Sequence, residues 1–263
     1  MLKIPIVDRD GAPAWPDKFP QEAIDKLREN AGPRHFAAQM MLAPDAIERA
    51  RLDASAIHFY DDEFDRKSAR LGDLAQITSV AFYWDPSMAA QKSDSSVCVM
   101  VLRDDSGRRA FIHRCIYLKN GEKEKYPLAA QCARVLEFMH AQRLRSIGVE
   151  VNGMGSALPE ILTREAQADG RSIHVQRVVN RDNKEIRILD AIEPLLCTGR
   201  LYAHSQIRSS GLIDEMSDWA PGGKAHDDGL DAIAGALSMP PTPIRPEARP
   251  NQTITARTEF ATL

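Results

Sequence analysis

The fold is decided by the stretch ITSVAFYWDPSMAAQKSDSSVCVMVLR, residues 77–103. Two runs of β-branched, aromatic and other apolar residues flank a polar loop that contains Pro86, Lys92 and Asp94, a pattern that predicts two strands joined by a loop. The first strand ends in Asp85. A carboxylate at the carboxyl end of an apolar strand lies at the rim of the sheet, where it can meet a ligand or a metal ion.

Strand and helix patterns alternate after this stretch. RRAFIHRCIYLK, residues 108–119, predicts a third strand that the DDSG turn at 104–107 joins to the second, so three antiparallel strands form a meander. The later elements are predicted in chain order as a helix at 126–142, a strand at 145–151, a helix at 156–168, a strand at 172–179, a helix at 183–196, a short strand at 200–204, a helix at 206–219 and a last helix within 226–239. Strand-helix-strand crossovers imply parallel pairing. We therefore expect an α/β fold, a mixed sheet of a meander plus parallel strands, flanked by helices.

Three regions are expected along the chain. Residues 1–70 show short amphipathic helices and no strand pattern, which predicts a helical linker or arm that needs a surface to pack on. The first of these helices is expected to end at Gly32-Pro33 and the third to begin at Pro44-Asp45. Residues 71–239 hold the sheet and its helices. The proline-rich, polar stretch at 240–263 is expected to be a disordered tail.

Composition excludes several classes of protein. Of the 263 residues 43% are hydrophobic and 27% are charged, which is typical of a globular protein. With a net charge of -3 there is no overall basic field, so binding to nucleic acid requires local basic residues or bound cations. No apolar run is long enough for a membrane span, and no phosphate-binding loop is present, so we expect a soluble, non-exported protein that does not itself hydrolyse nucleotides.

Acidic residues stand at three places that this fold can bring together. Asp85 ends the first strand and Glu150 ends the fourth, and these strands are expected to be neighbours. Asp227, Asp228 and Asp231 begin the last helix, and helical spacing puts Asp227 in line with the buried stripe, Asp231 on its flank and Asp228 further away. A capping residue need not follow that spacing, so all three stay candidates.

Clustered carboxylates need a counter-charge, and hard oxygen ligands select Mg²⁺ or Mn²⁺. Two such ions can stabilise the attacking and the leaving oxygen in phosphodiester cleavage, so no serine or histidine nucleophile is required. Basic residues on the neighbouring loops and helix starts are candidates for contacts with DNA phosphates, although solvated surface charge explains each of them equally well; they are Lys92, Arg181, Lys184 and Arg187.

Three segments match a family in order and spacing: VAFYWDPSMAAQKSDSSVCVMVL at 80–102, GVEVNGMGSALPEIL at 148–162 and HDDGLDAIAGAL at 226–237. They resemble the acidic motifs of the C-terminal RNase H-like nuclease domain of large terminase subunits from tailed bacteriophages. The segments WPDKFP and GPRHFAAQMML, at 15–20 and 32–42, look like the linker to the packaging ATPase.

The resemblance implies a metal-dependent DNA endonuclease, with an RNase H-like sheet, that cuts concatemeric phage DNA during genome packaging in the host cytoplasm. It implies two Mg²⁺ or Mn²⁺ ions on Asp85, Glu150 and one or two of Asp227, Asp228 and Asp231. The implied partners are double-stranded DNA, the packaging ATPase domain, the small terminase subunit and the capsid portal, without a membrane. Two alternatives stay open: an RNase H-like junction resolvase or transposase, and a non-catalytic DNA-packaging assembly module whose acids are structural.

Overall fold

The computed structural model describes residues 4–8, 10–43, 52–87, 95–118, 127–152 and 156–246. Within these residues the strands are β1 (His58–Tyr60), β2 (Phe64–Asp65), β3 (Arg70–Leu71), β4 (Ala75–Asp85), β5 (Ser96–Asp104), β6 (Ala110–Leu118), β7 (Ser146–Glu150), β8 (His174–Val178), β9 (Leu201–His204) and β10 (Thr242–Pro243). The α-helices are α1 (Gln21–His35), α2 (Pro127–Ala141), α3 (Leu158–Ala168), α4 (Lys184–Cys197), α5 (Leu212–Asp218) and α6 (Asp228–Ser238). No helix among the described residues is long and apolar enough to cross a membrane.

The sheet combines antiparallel and parallel pairing, as the sequence predicts. β4, β5 and β6 form the meander, in which Asp85 lies beside Val97 and Ile77 beside Asp104. β7 pairs parallel with both β4 and β8, and β9 pairs parallel with both β6 and β1. This arrangement confirms the mixed α/β sheet and places the carboxyl ends of β4 and β7 next to each other.

Helices cover both faces of the sheet because the side chains of the central strands alternate between two cores. Tyr83 packs in the core under α4, α5 and α6, whereas Trp84 packs in the core under α2 and α3. Trp84 is fully buried, and its indole N–H donates to Ser96 Oγ at 2.8 Å.

Small residues let α6 lie very close to the sheet. A Cβ atom at Gly235 would fall well inside contact distance of the Tyr83 ring. Ala232, Ala234 and Ala236 of the same helix are fully buried. This close packing brings the amino end of α6 to the rim where β4 and β7 end.

The amino-terminal arm packs on α4. α1 is interrupted at Gly32, whose φ of 72° is left-handed, in line with the helix end predicted there. The arm has a small core that includes Ile24 and Phe36, and His35 Nε2 lies 2.7 Å from Asp190 Oδ1 of α4. A third helix was predicted to begin at Pro44, but residues 44–51 lie outside the described residues.

The prediction that residues 1–70 contain no strand is wrong. β1, β2 and the first residue of β3 fall within that range, and β1 joins the main sheet beside β9. Strands of two or three residues are too short to show a period of two, so their pairing partners specify them and not their own sequence. The division of the chain into an arm, a nuclease domain and a tail stays a prediction.

The tail is ordered at its beginning, contrary to the prediction for 240–263. Thr242 pairs with Val80 and Pro243 with Ser79 in an antiparallel bridge, and Ile244 is buried in the core under α2 and α3. Proline is tolerated here because β10 is a short edge strand. Residues 247–263 lie outside the described residues.

Candidate metal centre

Three carboxylates from distant parts of the chain converge at one rim of the sheet. Tyr83 lies beside Gly148 and Trp84 beside Val149 in the parallel pair β4–β7, which puts the next residues, Asp85 and Glu150, side by side. Asp231, in the first turn of α6, completes the group. One carboxylate oxygen of each of the three acids lies within 4.8 Å of the others.

The electrostatics of this group favour a bound cation. Asp85 is half-buried, and burial together with the charges of Glu150 and Asp231 raises its pKa to about 8, although Lys184 acts in the opposite direction. A bound cation would relieve the repulsion among the three carboxylates. The donor set consists of hard oxygens only, so it fits Mg²⁺ or Mn²⁺ better than a softer metal.

Glu150 is held by three hydrogen bonds that the sequence did not reveal. Tyr83 Oη donates to Glu150 Oε2 at 2.8 Å, and Asn180 Nδ2 donates to the same oxygen at 2.8 Å. Asn152 Nδ2 donates to Oε1 at 2.7 Å. The only sequence signal was that Tyr83 and Asp85 share a face of β4; the two asparagines follow strands, where polar residues are common. The carboxylate of Glu150 is therefore fixed in orientation.

Asp231 is already paired with two basic side chains of α4. Arg187 donates to Asp231 Oδ1 from Nε at 3.1 Å and also from its terminal nitrogen. Lys184 Nζ lies 3.3 Å from Asp231 Oδ2 and 2.7 Å from Asp227 Oδ1. Burial lowers the pKa of both basic groups, but the hydrogen bonds and charges of their acidic partners outweigh burial, so both pKa values lie above their ordinary range.

The other two aspartates of the last motif have different surroundings. Asp227 precedes α6 and is engaged by Lys184. Asp228 is only 7% exposed and accepts a hydrogen bond from the Ser95 backbone N–H at 2.6 Å. The prediction from helical spacing that Asp228 faces away from the buried side is wrong. Asp228 is the first residue of the helix and packs against the start of β5. Neither aspartate belongs to the three-acid group among the described residues.

The predicted DNA contacts fall into three groups. Lys184 and Arg187 lie at the acidic cluster and pair with its acids. Arg181 is exposed in the loop between β8 and α4, close in sequence to Asn180. Lys92 lies outside the described residues. The contacts of all four with DNA stay predictions.

Residues 86–201 match the family model described as the ribonuclease H-like domain of the bacteriophage T7 terminase. This segment is similar to a terminase RNase H-like domain. The match confirms the resemblance drawn from the acidic motifs; it contains Glu150, begins one residue after Asp85 and ends before Asp231. No curated protein sequence matches the chain.

Several solved structures resemble the terminase RNase H-like domain and its surroundings at low identity. The P22 large terminase nuclease domain is 13% identical, with 73% of this chain and 93% of that chain covered and a TM-score of 0.47. The human cytomegalovirus terminase nuclease domain is 15% identical, covering 60% and 80%, with a TM-score of 0.42. T. thermophilus RuvC in complex with a Holliday junction substrate is 16% identical, covering 63% of this chain and 99% of that chain, with a TM-score of 0.36. The family assignment rests on the sequence match and not on these distant similarities.

Proposed function

We propose that this chain is a metal-dependent endonuclease that cuts concatemeric phage DNA during genome packaging. The observation that carries the proposal is the convergence of Asp85, Glu150 and Asp231 at the rim of a terminase RNase H-like domain. Two divalent ions at these carboxylates would supply the charge that activates the attacking water and stabilises the leaving 3′ oxygen.

The surrounding residues have separate roles in this proposal. Tyr83, Asn152 and Asn180 orient Glu150, since each donates a hydrogen bond to its carboxylate. Lys184 and Arg187 offset the charge of the acids on α6. Lys184 and Arg187 lie next to the three carboxylates, where they would also contact a DNA phosphate held at the site. The roles of Asp227 and Asp228 as further ligands are part of the proposal.

Arg181 and Lys92 are proposed as further contacts with the phosphates of duplex DNA, which a protein of net charge -3 must bind through local basic residues and bound cations. The proposed partners are the packaging ATPase domain, the small terminase subunit and the capsid portal, and the proposed location is the host cytoplasm. A surface for such docking is the arm at 4–43, which packs on α4 through contacts such as His35 with Asp190.

A plasmid-nicking assay tests the proposal. The parent is expected to convert supercoiled plasmid to open-circular and linear forms in Mg²⁺ or Mn²⁺, and a chelator is expected to stop the reaction. Asp85→Ala and Glu150→Ala should lose cleavage, whereas Asp73→Ala removes an exposed carboxylate from the same domain and should cut like the parent. Cleavage by the first two variants at the rate of the parent would overturn the site.

The same assay separates the alternatives. Linear duplex and a four-way junction of the same sequence are compared at equal concentration. Equal or faster cutting of the linear duplex supports a packaging nuclease, and a strong preference for the junction supports a resolvase. A protein that neither cuts DNA nor binds Mn²⁺ in a calorimetric titration would instead be an assembly module.

A further inference from the structure

The first turn of α6 carries Asp228 and Asp231, yet its backbone is not capped by its own N-cap residue. Asp227 makes no capping hydrogen bond, because its carboxylate pairs with Lys184 Nζ at 2.7 Å. The first four N–H groups of an α-helix have no partner within the helix and must find one elsewhere. One of these groups is the N–H of Gly229, a buried residue two positions before Asp231.

Glu215 of α5 supplies the missing acceptor. The Gly229 N–H donates to Glu215 Oε2 at 2.9 Å, so a carboxylate from a neighbouring helix takes the place of the usual N-cap. A carboxylate at this end of the helix also interacts favourably with the helix dipole. Burial raises the pKa of Glu215, while its hydrogen bond with the Gly229 N–H acts against burial.

The approach of these groups to the helix is unusually close. A Cβ atom at Gly229 would overlap the Tyr117 hydroxyl and would lie 2.9 Å from Glu215 Oε2 and 3.0 Å from Leu212 Cδ1. Any side chain at position 229 would therefore push α6 away from β6 and α5. Glu215 is therefore in direct contact with the backbone of the first turn of α6.

We propose that Glu215 is a positioning residue that fixes the first turn of α6 and thereby holds Asp231 within reach of Asp85 and Glu150. The inference rests on the proposed metal site. Asp231 lies two residues after Gly229, about 3 Å along the helix axis, so a shift of this turn moves its carboxylate directly. The three acids are spread over less than 4.8 Å, so a displacement of about 1 Å is large on that scale.

A matched pair of variants tests the role of the acceptor. Glu215→Gln and Glu215→Met both remove the charge and keep the length of the side chain, but only glutamine keeps an oxygen that can accept from Gly229. Asp214→Ala, which removes an exposed carboxylate from the preceding position of α5, is the control for charge alone. The readout is the affinity for Mn²⁺ without DNA, from the electron paramagnetic resonance signal of free Mn²⁺, together with urea unfolding of each variant.

Glu215→Met is expected to weaken Mn²⁺ binding about tenfold, the usual effect of losing a residue that orients a metal ligand, and Glu215→Gln and Asp214→Ala should stay within about threefold of the parent. If Glu215→Met does not fold, Glu215→Asp, which withdraws the carboxylate by one methylene, should show the same direction of change. A merely structural role would lower the stability of the variants and leave the Mn²⁺ affinity of the folded protein unchanged.

Two results would overturn the inference: parent-like Mn²⁺ affinity in Glu215→Met, or in Glu215→Asp where that variant replaces it, and an equal loss in the glutamine and methionine variants. A parent protein that binds no Mn²⁺ would instead overturn the proposed function on which the inference rests. The two failures are therefore distinguishable in one set of titrations.

Discussion

Each end of the strand pair β4–β5 has an acidic residue that is largely shielded from solvent. The two acids differ in their neighbours, since one is paired with a basic side chain and the other lies beside further acids. Asp104 lies at the end of β5 with a side chain that is 0% exposed, and it accepts from Arg109 Nε at 2.6 Å and from Ser106 Oγ at 2.8 Å. Burial alone would raise the pKa of Asp104, but these hydrogen bonds and the charge of Arg109 hold it below its ordinary value.

Asp85, at the other end of the pair, faces acids instead of a cation. Among the described residues no basic side chain forms an ion pair with it, and its pKa is raised to about 8 by burial and by Glu150 and Asp231. Buried acids normally come with a built-in partner. Asp104 therefore has its positive partner within the protein, whereas Asp85 has acidic neighbours whose charge a bound cation would offset.

The largest expected effect that separates the two ends is on catalysis. Asp85→Asn removes a proposed metal ligand and should lower the rate of plasmid cleavage about a thousandfold, equivalent to several kcal/mol of transition-state stabilisation. Its stability without metal should equal or exceed that of the parent, because the substitution removes charge repulsion. The rate is measured in Mn²⁺, and cleavage that falls only in proportion to a loss of folded protein would contradict this role.

Asp104→Ala should show the reverse pattern. Removing the buried partner of Arg109 leaves Ser106 and Arg109 without their acceptor, which is expected to lower the free energy of unfolding by about 2 kcal/mol. Cleavage by the remaining folded molecules should match the parent, since the residue lies at the far end of the sheet. Urea unfolding and the nicking rate together check this prediction, and a specific loss of cleavage would break the distinction.

Side-chain amides near the two ends of β4 allow a finer comparison of the two regions, since Asn180 contacts the acidic end and Gln76 lies near the other. Asn180→Ala removes a donor to Glu150 and should weaken Mn²⁺ binding about tenfold. Gln76→Ala, near the opposite end of β4, removes hydrogen bonds to the backbone carbonyls of Ser68 and Ala69 and should leave the Mn²⁺ affinity unchanged. Calorimetric titration with Mn²⁺ measures both variants, and equal losses would show that the effect is not specific to the site.

The pH dependence of stability without metal should differ between the two acids. The pKa of Asp85 is raised on folding, so its contribution to stability is present in acid and is lost as pH rises from about 4 through about 8, by at most about 1.4 kcal/mol per pH unit. The pKa of Asp104 is lowered, so its contribution is lost only as pH falls below about 4.

Urea unfolding between about pH 5 and about pH 9 separates the two cases, because this range brackets the raised pKa of Asp85. The difference in unfolding free energy between the parent and Asp85→Asn should change across this range, in favour of the variant as pH rises. The difference between the parent and Asp104→Asn should stay constant. A constant difference for both variants would contradict the raised pKa of Asp85.

The sequence predicts the central part of this fold well because its patterns are local. The meander follows from three apolar strands with short connections, and the stripe of Cys132, Val135, Leu136 and Met139 on α2 is buried as its spacing predicts. β1, β2, β3 and β10 were not predicted, because strands of two or three residues carry no readable period and depend on distant partners.

The candidate site could be predicted in its residue types but not in its pairings. The positions of Asp85 and Glu150 follow from strand ends, whereas the choice among Asp227, Asp228 and Asp231 depends on where α6 begins and how it is turned. Lys184 and Arg187 were recognised as basic residues near the site, but sequence gives no sign that they pair with acids of α6. Contacts made between distant segments are set by tertiary packing and not by local pattern.

The central claim, that Asp85, Glu150 and Asp231 form one site for divalent cations, is tested most directly by anomalous diffraction from a crystal of the protein soaked in Mn²⁺. An anomalous peak is expected between these three carboxylates, within about 2.3 Å of an oxygen of each, and it should be lost in Asp85→Asn. A well-soaked crystal with no peak between them, or with Mn²⁺ bound only elsewhere, would contradict the claim.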